Sequence, residues 1–187
     1  MRRLRPGLAT VVAGLSAAVL LALPGCGGGG GGRGPTQPPP PTTSLTFSAG
    51  TAGADSVALA RTGATGGNIL ELALEARQVS NLYGVAFDLG YPASVLAYEG
   101  ATPGDFLSSD GFQVSLQVAE ESGNLIVGIT RLGAVPAASG SGTLAILRFR
   151  AIGSGNGPLS FSRTDAVDGQ GRKLDLDFVG GTVQSTL

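Results

Sequence analysis

The chain has 187 residues, with 12 basic and 13 acidic side chains, 32 glycines, no histidine, no tryptophan and one cysteine. Lack of histidine excludes a Ser-His-Asp triad and a Cys-His dyad, and with one cysteine it excludes zinc sites built on those ligands. All 13 acidic residues lie at or beyond Asp55, and the segment from Ser44 onward carries eight basic residues against them, a net of −5, which excludes the basic footprint of a nucleic-acid binder and a polybasic membrane signal.

In chain order, Arg2, Arg3 and Arg5 precede an uncharged apolar stretch from Leu8 to Leu23, and Leu23-Pro24-Gly25-Cys26 closes it. A basic start, an apolar segment and a small residue before cysteine form an export signal ending in a lipobox. Residues 1–25 are expected to be the signal peptide and Cys26 the lipidation site, as in the bacterial lipoproteins this pattern resembles. The apolar segment is shorter than the roughly 20 residues a spanning helix needs, and two or more acyl chains at about 0.8 kcal/mol per buried methylene hold a protein stably on a bilayer. Gly27 stands where an aspartate would resemble an inner-membrane retention signal, so the expected location is the cell envelope, at the outer membrane if the cell is Gram-negative. Residues 26–43 combine a glycine run, Gly27 to Gly32, with Pro35, Pro38, Pro39, Pro40 and Pro41. Flexible coil followed by extended polyproline makes a disordered tether.

From Ser44 to Leu187, short apolar runs punctuated by glycine, asparagine, aspartate and proline predict an all-β sandwich. Expected strands are Leu45 to Phe47, Val57 to Ala60 and Asn68 to Val79. In the last of these, Leu, Glu and Ala favour a helix by propensity, whereas Leu70, Leu72, Leu74 and Ala76 repeat with the period of a strand; strand is the reading taken. Leu82 to Leu89 alternates with Tyr83, Val85, Phe87 and Leu89 inward and Gly84, Ala86 and Asp88 outward. Phe112 to Val118 and Leu125 to Ile129 alternate likewise around the turn Glu121-Ser122-Gly123-Asn124, predicting a hairpin. In Thr143 to Ala151, Ala145, Leu147 and Phe149 are expected inward, with the start of the strand covered because Leu144 and Ile146 then face out. Leu174, Leu176 and Phe178 form the expected closing strand.

Ile69 to Gly84 leading into Val85-Ala86-Phe87-Asp88-Leu89, then Tyr91, Pro92 and Val95-Leu96, and later Gly140-Ser141-Gly142-Thr143-Leu144-Ala145 before Leu147-Arg148-Phe149, resemble the cohesin family over most of Ser44 to Val183. The resemblance implies a nine-stranded jelly-roll or immunoglobulin-like sandwich, related to carbohydrate-binding modules. It also implies a non-catalytic role, gripping a calcium-binding dockerin partly through polar residues on the strand that here runs Tyr83 to Leu89. Gly84, Ala86 and Asp88 occupy that outward face here, so Asp88 alone is equipped for a strong directed hydrogen bond.

Other residues bear on chemistry. Asp165 and Asp168, in Asp165-Ala166-Val167-Asp168-Gly169-Gln170-Gly171, supply the closely spaced oxygens a calcium ion takes, although their spacing is not that of an EF-hand and a glycine-bearing hairpin turn accounts for the same residues. Glu120 and Glu121 do not form a glycosidase pair, because neighbours on a strand point to opposite faces. Sugar binding by related modules relies on stacked aromatic rings. This chain offers Tyr91 and Tyr98 near a surface, with Tyr83, Phe106 and Phe112 expected in the core. The sequence therefore predicts a lipid-anchored module without enzymatic activity or a resident cofactor, binding a dockerin-like or other envelope protein. A polysaccharide-binding module and a structural spacer of an envelope assembly are the alternatives.

Overall fold

The computed structural model describes residues 44–63 and 66–187. The expected signal segment, Cys26 and the tether lie outside the described residues. Among those described, eleven strands make two sheets packed face to face: β1 (Ser44–Ala49), β2 (Ser56–Arg61), β3 (Ile69–Leu82), β4 (Gly84–Gly90), β5 (Leu96–Pro103), β6 (Val114–Glu121), β7 (Asn124–Arg131), β8 (Ala138–Ala151), β9 (Gly155–Val167), β10 (Asp177–Val179) and β11 (Gly181–Thr186). One 3₁₀ turn, Phe106–Ser108, follows β5. The first sheet runs β1-β11-β9-β4-β7-β6 and the second β10-β2-β3-β8-β5. Pairing is antiparallel throughout except between β10 and β2.

Alternation decides which side chains meet between the sheets. Val85, Phe87 and Leu89 from β4, Leu125, Val127 and Ile129 from β7, and Leu70, Leu72 and Leu74 from β3 are all buried in one core. Burying each such side chain contributes about 1.5–3 kcal/mol. Two aromatic groups interlock within it. Phe87 meets Phe161 edge-on with centroids 5.1 Å apart, and Phe149 lies 5.3 Å from Tyr91 and 5.8 Å from Tyr98. The segment with divided signals is indeed a strand, since burying one alternating face between neighbours outweighs a helix propensity of tenths of a kcal/mol per residue.

The strand count is eleven where nine were expected, and the differences fall where apolar alternation is thin. Strands β5, β9 and β11, outside the expected set, each bury few apolar side chains, and they are recruited by ladder pairing with β8, β4 and β1 rather than by pattern. The expected closing strand shrinks to Asp177–Val179; Leu174 and Leu176 precede it and still pack on the core. Leu144 is buried as well as Ala145, because the pairing of β3 with β8 shifts between Leu74↔Ala145 and Glu75↔Thr143 and leaves Leu144 as the extra residue of a bulge.

The hairpin β6-β7 closes through Ser122 and Gly123, at φ 49° and 86°. Two successive positive φ values define the type I′ turn whose twist suits a two-residue connection. Two further irregularities mark β3, where Gln78 and Asn81 adopt φ 49° and 55°. Their backbone N–H groups leave the ladder and donate instead to Ser141 Oγ at 2.8 Å and Ser139 Oγ at 2.9 Å.

Candidate protein-recognition face

The outer surface of the first sheet is built in rows by the register. One row runs Gln117 (β6), Gly128 (β7), Ala86 (β4) and Asp165 (β9); the next runs Ser115, Thr130, Gly84 and Val167; a third runs Ala119, Ile126, Asp88 and Ser162. Where Gly84, Ala86 and Gly128 meet, side chains are absent or single methyls, and a shallow trough of about 280 Å³ opens. It continues past Ala86 and Gly128 into a second depression beside Ala119 and Ile126. Ile126 is 37% exposed on its rim.

The two glycines differ in what holds them. A Cβ on Gly84 would lie 2.9 Å from Thr130 Oγ1 and 3.0 Å from the Ile129 carbonyl oxygen, so packing requires glycine there. A Cβ on Gly128 would meet nothing within 4 Å. Gly128 therefore leaves the sheet bare without being needed for folding, and it was not singled out from sequence because a lone strand glycine reads only as a weak spot.

Asp88 is 6% exposed. It accepts from Asn124 Nδ2 at 2.9 Å and from Arg163 Nε at 2.7 Å, with Arg163 Nη2 donating to the same oxygen. The Arg163 hydrogen bonds, then that of Asn124, hold the carboxyl below its ordinary range. What Asp88 turns toward solvent is thus the guanidinium it holds, not its own oxygens. Arg163 sits at φ 47° in a bulge of β9, where the pairing jumps from Ala86↔Asp165 to Asp88↔Ser162, and its side chain is 70% exposed. Sequence reading missed it. The available signal was one arginine in an otherwise serine- and threonine-rich strand.

The other expected site residues are placed as follows. Asp168 is buried and accepts from the backbone N–H groups of Gln170 and Arg172 at 2.9 Å each and from Arg172 Nε at 2.8 Å. These bonds, led by the Arg172 backbone, keep its carboxyl low. Asp165 lies 3.8 Å from Lys173 Nζ. The two aspartates thus serve different partners, and among the described residues no group of three acidic side chains gathers to hold a metal ion.

Tyr91 is not at the surface but 7% exposed in the core, its hydroxyl donating to Glu120. Burial first, then Glu120, raises its pKa. Tyr98 packs half-buried against Phe149. Tyr83, expected inside, falls between β3 and β4 and donates its hydroxyl to the Gly133 carbonyl. Phe106 is buried as expected, but Phe112 is 39% exposed, lying 5.3 Å under the guanidinium of the buried Arg131. The tyrosines assigned to a sugar platform are therefore engaged in packing.

The opposite sheet presents a different outer face. Glu71 and Arg148 are 2.7 Å apart, Glu99 bridges Arg148 at 3.1 Å and Arg150 at 2.7 Å, and Glu75 pairs with Arg77 at 2.9 Å. Glu71, Arg148, Glu99, Arg150, Glu75 and Arg77 are thus engaged in ion pairs, while Arg61 on β2 and Asp177 on β10 stand exposed.

Among the described residues two sheets pack as a sandwich, and one of them carries a bare outer face. The cohesin domain model matches residues 56–184, and the chain belongs to the cohesin family. Cohesin domains are non-catalytic interaction modules. Solved structures with the same fold include a type II cohesin domain from the cellulosome of Acetivibrio cellulolyticus, 20% identical at a TM-score of 0.52 over 74% of this chain and 95% of that one. A non-cellulosomal cohesin from the archaeon Archaeoglobus fulgidus is 19% identical at 0.50 over 73% and 88%. A chain of the type II cohesin–X–dockerin complex of A. cellulolyticus is 14% identical at 0.52 over 73% and 93%. No curated protein matches the chain.

Proposed function

We propose that the protein is a lipid-anchored cohesin module that grips a dockerin-type protein through the outer face of β9-β4-β7-β6. The observation that carries this is the contrast between the two sheets. The second sheet covers its outer face with ion-paired side chains on β3, β5 and β8, whereas the first leaves Gly84, Ala86 and Gly128 as an apolar trough beside a braced arginine. Buried anchors surrounded by a water-excluding rim dominate binding energy, and a bare strip of strand admits a partner's side chains close to the backbone. Family membership supports a protein partner, and solved relatives include a cohesin–X–dockerin complex. Under this reading Cys26 carries the acyl chains and residues 27–43 space the domain from an outer-membrane surface.

The test is direct binding of the dockerin-bearing proteins of the source organism to the purified protein, one at a time, with calcium and with chelator. Calcium-dependent binding that Gly128→Gln abolishes, with an unchanged urea midpoint, supports the reading, because a Cβ at Gly128 meets nothing within 4 Å and the rest of the side chain extends from the trough floor. Binding by none of them, or binding that Gly128→Gln leaves unchanged, overturns it. Cell labelling with a palmitate analogue checks the anchor: label should be lost in Cys26→Ser, and equal labelling of both forms would refute lipidation there.

A further inference from the structure

Within the face proposed above, and resting on that reading, we infer that Arg163 is the specificity-determining residue and selects a partner helix bearing an acidic side chain one turn from an apolar one.

Three observations converge on this. Arg163 is a non-glycine residue held at positive φ inside a bulge, and bulges re-aim a side chain at some cost in backbone energy. Its aim is fixed from below, since Asp88 takes Nε and Nη2 and is itself tied to Asn124. That leaves the outer N–H groups of a planar fork, held in place but 70% exposed, as donors for a carboxylate in the geometry arginine prefers. A free surface arginine would lose side-chain entropy on binding; a braced one has already lost it.

Spacing supplies the partner's pattern. Ala86, at the centre of the trough, is two residues from Asp88 along β4, about 7 Å at strand rise. Residues one turn apart on a helix surface are separated by about 5–6 Å. A helix lying along β4 with an apolar side chain over Ala86 and Gly128 thus brings an aspartate or glutamate one turn away onto Arg163. A lysine there would meet the guanidinium directly, because Asp88 is buried beneath and the exposed Asp165 of this face lies back in the row of Ala86, 3.8 Å from Lys173 Nζ.

The experiment uses the dockerin-bearing protein that binds in the assay above. Arg163→Gln keeps a residue type this chain already holds at φ 49° at Gln78 but withdraws the guanidinium from Asp88, so Asp88→Asn is measured beside it to separate loss of that pair from loss of recognition. Arg163→Gln is expected to weaken binding about tenfold or more. Arg163→Glu should remove binding, and a single Asp or Glu to Lys change on the partner should restore it. That charge exchange separates recognition from a structural role, which no change in the partner would rescue. If Gly128→Gln blocks binding while Arg163→Gln stays within about twofold, the face is right and the inference about Arg163 is wrong. If neither change matters, or no dockerin-bearing protein binds, both readings fall. Absence of any rescuing charge exchange on the partner also refutes the arginine's selecting role.

Discussion

Gly84 and Gly128 lie on neighbouring strands of one face, one row apart, and alanine at each should change stability in opposite directions. Replacing a strand glycine by alanine gains roughly 0.5–1 kcal/mol by restricting the unfolded chain. At Gly128 nothing opposes this gain, because a Cβ there meets open space. At Gly84 the methyl would come within 3.0 Å of the Ile129 carbonyl oxygen and 3.1 Å of Thr130 Cβ. The first of these is backbone fixed in the β4-β7 ladder. Overpacking of that kind costs about 1–3 kcal/mol. The expected outcome is Gly128→Ala neutral to about 1 kcal/mol more stable and Gly84→Ala about 0.5–2 kcal/mol less stable. Equilibrium urea denaturation measures both, with unchanged m-values showing that native and denatured states keep their compactness. Equal effects of the same sign would refute the claim that one glycine serves packing and the other only keeps the face bare.

Other predictions follow from the same contacts. Asp88, Asp110, Glu99 and Asp168 are all held below their ordinary range, the first three chiefly by arginine hydrogen bonds and Asp168 chiefly by the Arg172 backbone. Depressed carboxylates give stability that is present above their unfolded values near pH 4 and is lost as pH falls through the folded ones. Melting temperature should therefore drop progressively below about pH 4, less steeply in Asp168→Asn, and an identical profile for that variant would contradict its part in the effect. Tyr91 has the opposite sign. Its raised pKa favours the neutral phenol, so stability should be lost as pH rises above about 10, and Tyr91→Phe should lessen that loss in alkaline melts, with Tyr98, also raised by burial, sustaining the remainder; an unchanged alkaline profile would contradict the part given to Tyr91. Ser139→Ala and Ser141→Ala each strip the acceptor from a bulged amide and should cost about 0.5–1.5 kcal/mol in urea titration; no cost would mean water replaces either hydroxyl fully. Phe149→Ala removes the ring between Tyr91 and Tyr98 and should cost about 3–5 kcal/mol by the same method.

Legibility from sequence followed the strength of alternation. Strands β4 and β7 carry three inward apolar side chains apiece and β3 carries six, and burial made them readable down to the face most residues take. Strands β9 and β11 were opaque because their pairing is set by neighbours, and Arg163 was hidden with them, since a bulge that turns one arginine over a neighbouring strand leaves no periodic trace. Asp88 was placed on the correct face, but its burial depended on a residue 75 positions away. Tyr91 shows the same limit. It lies just beyond β4, and only the closure of the sandwich against Phe149 and Glu120 puts it inside. Residues 1–43, where the lipidation motif is plainest in sequence, lie outside the described structure.

The central claim is that one sheet face does the gripping. The sharpest check is amide chemical-shift mapping of the protein titrated with a dockerin-bearing protein of the source organism. Changes should concentrate at Ala86, Gln117, Gly128 and Arg163. Changes confined to Glu71, Glu99 and Arg148 on the opposite sheet would contradict it.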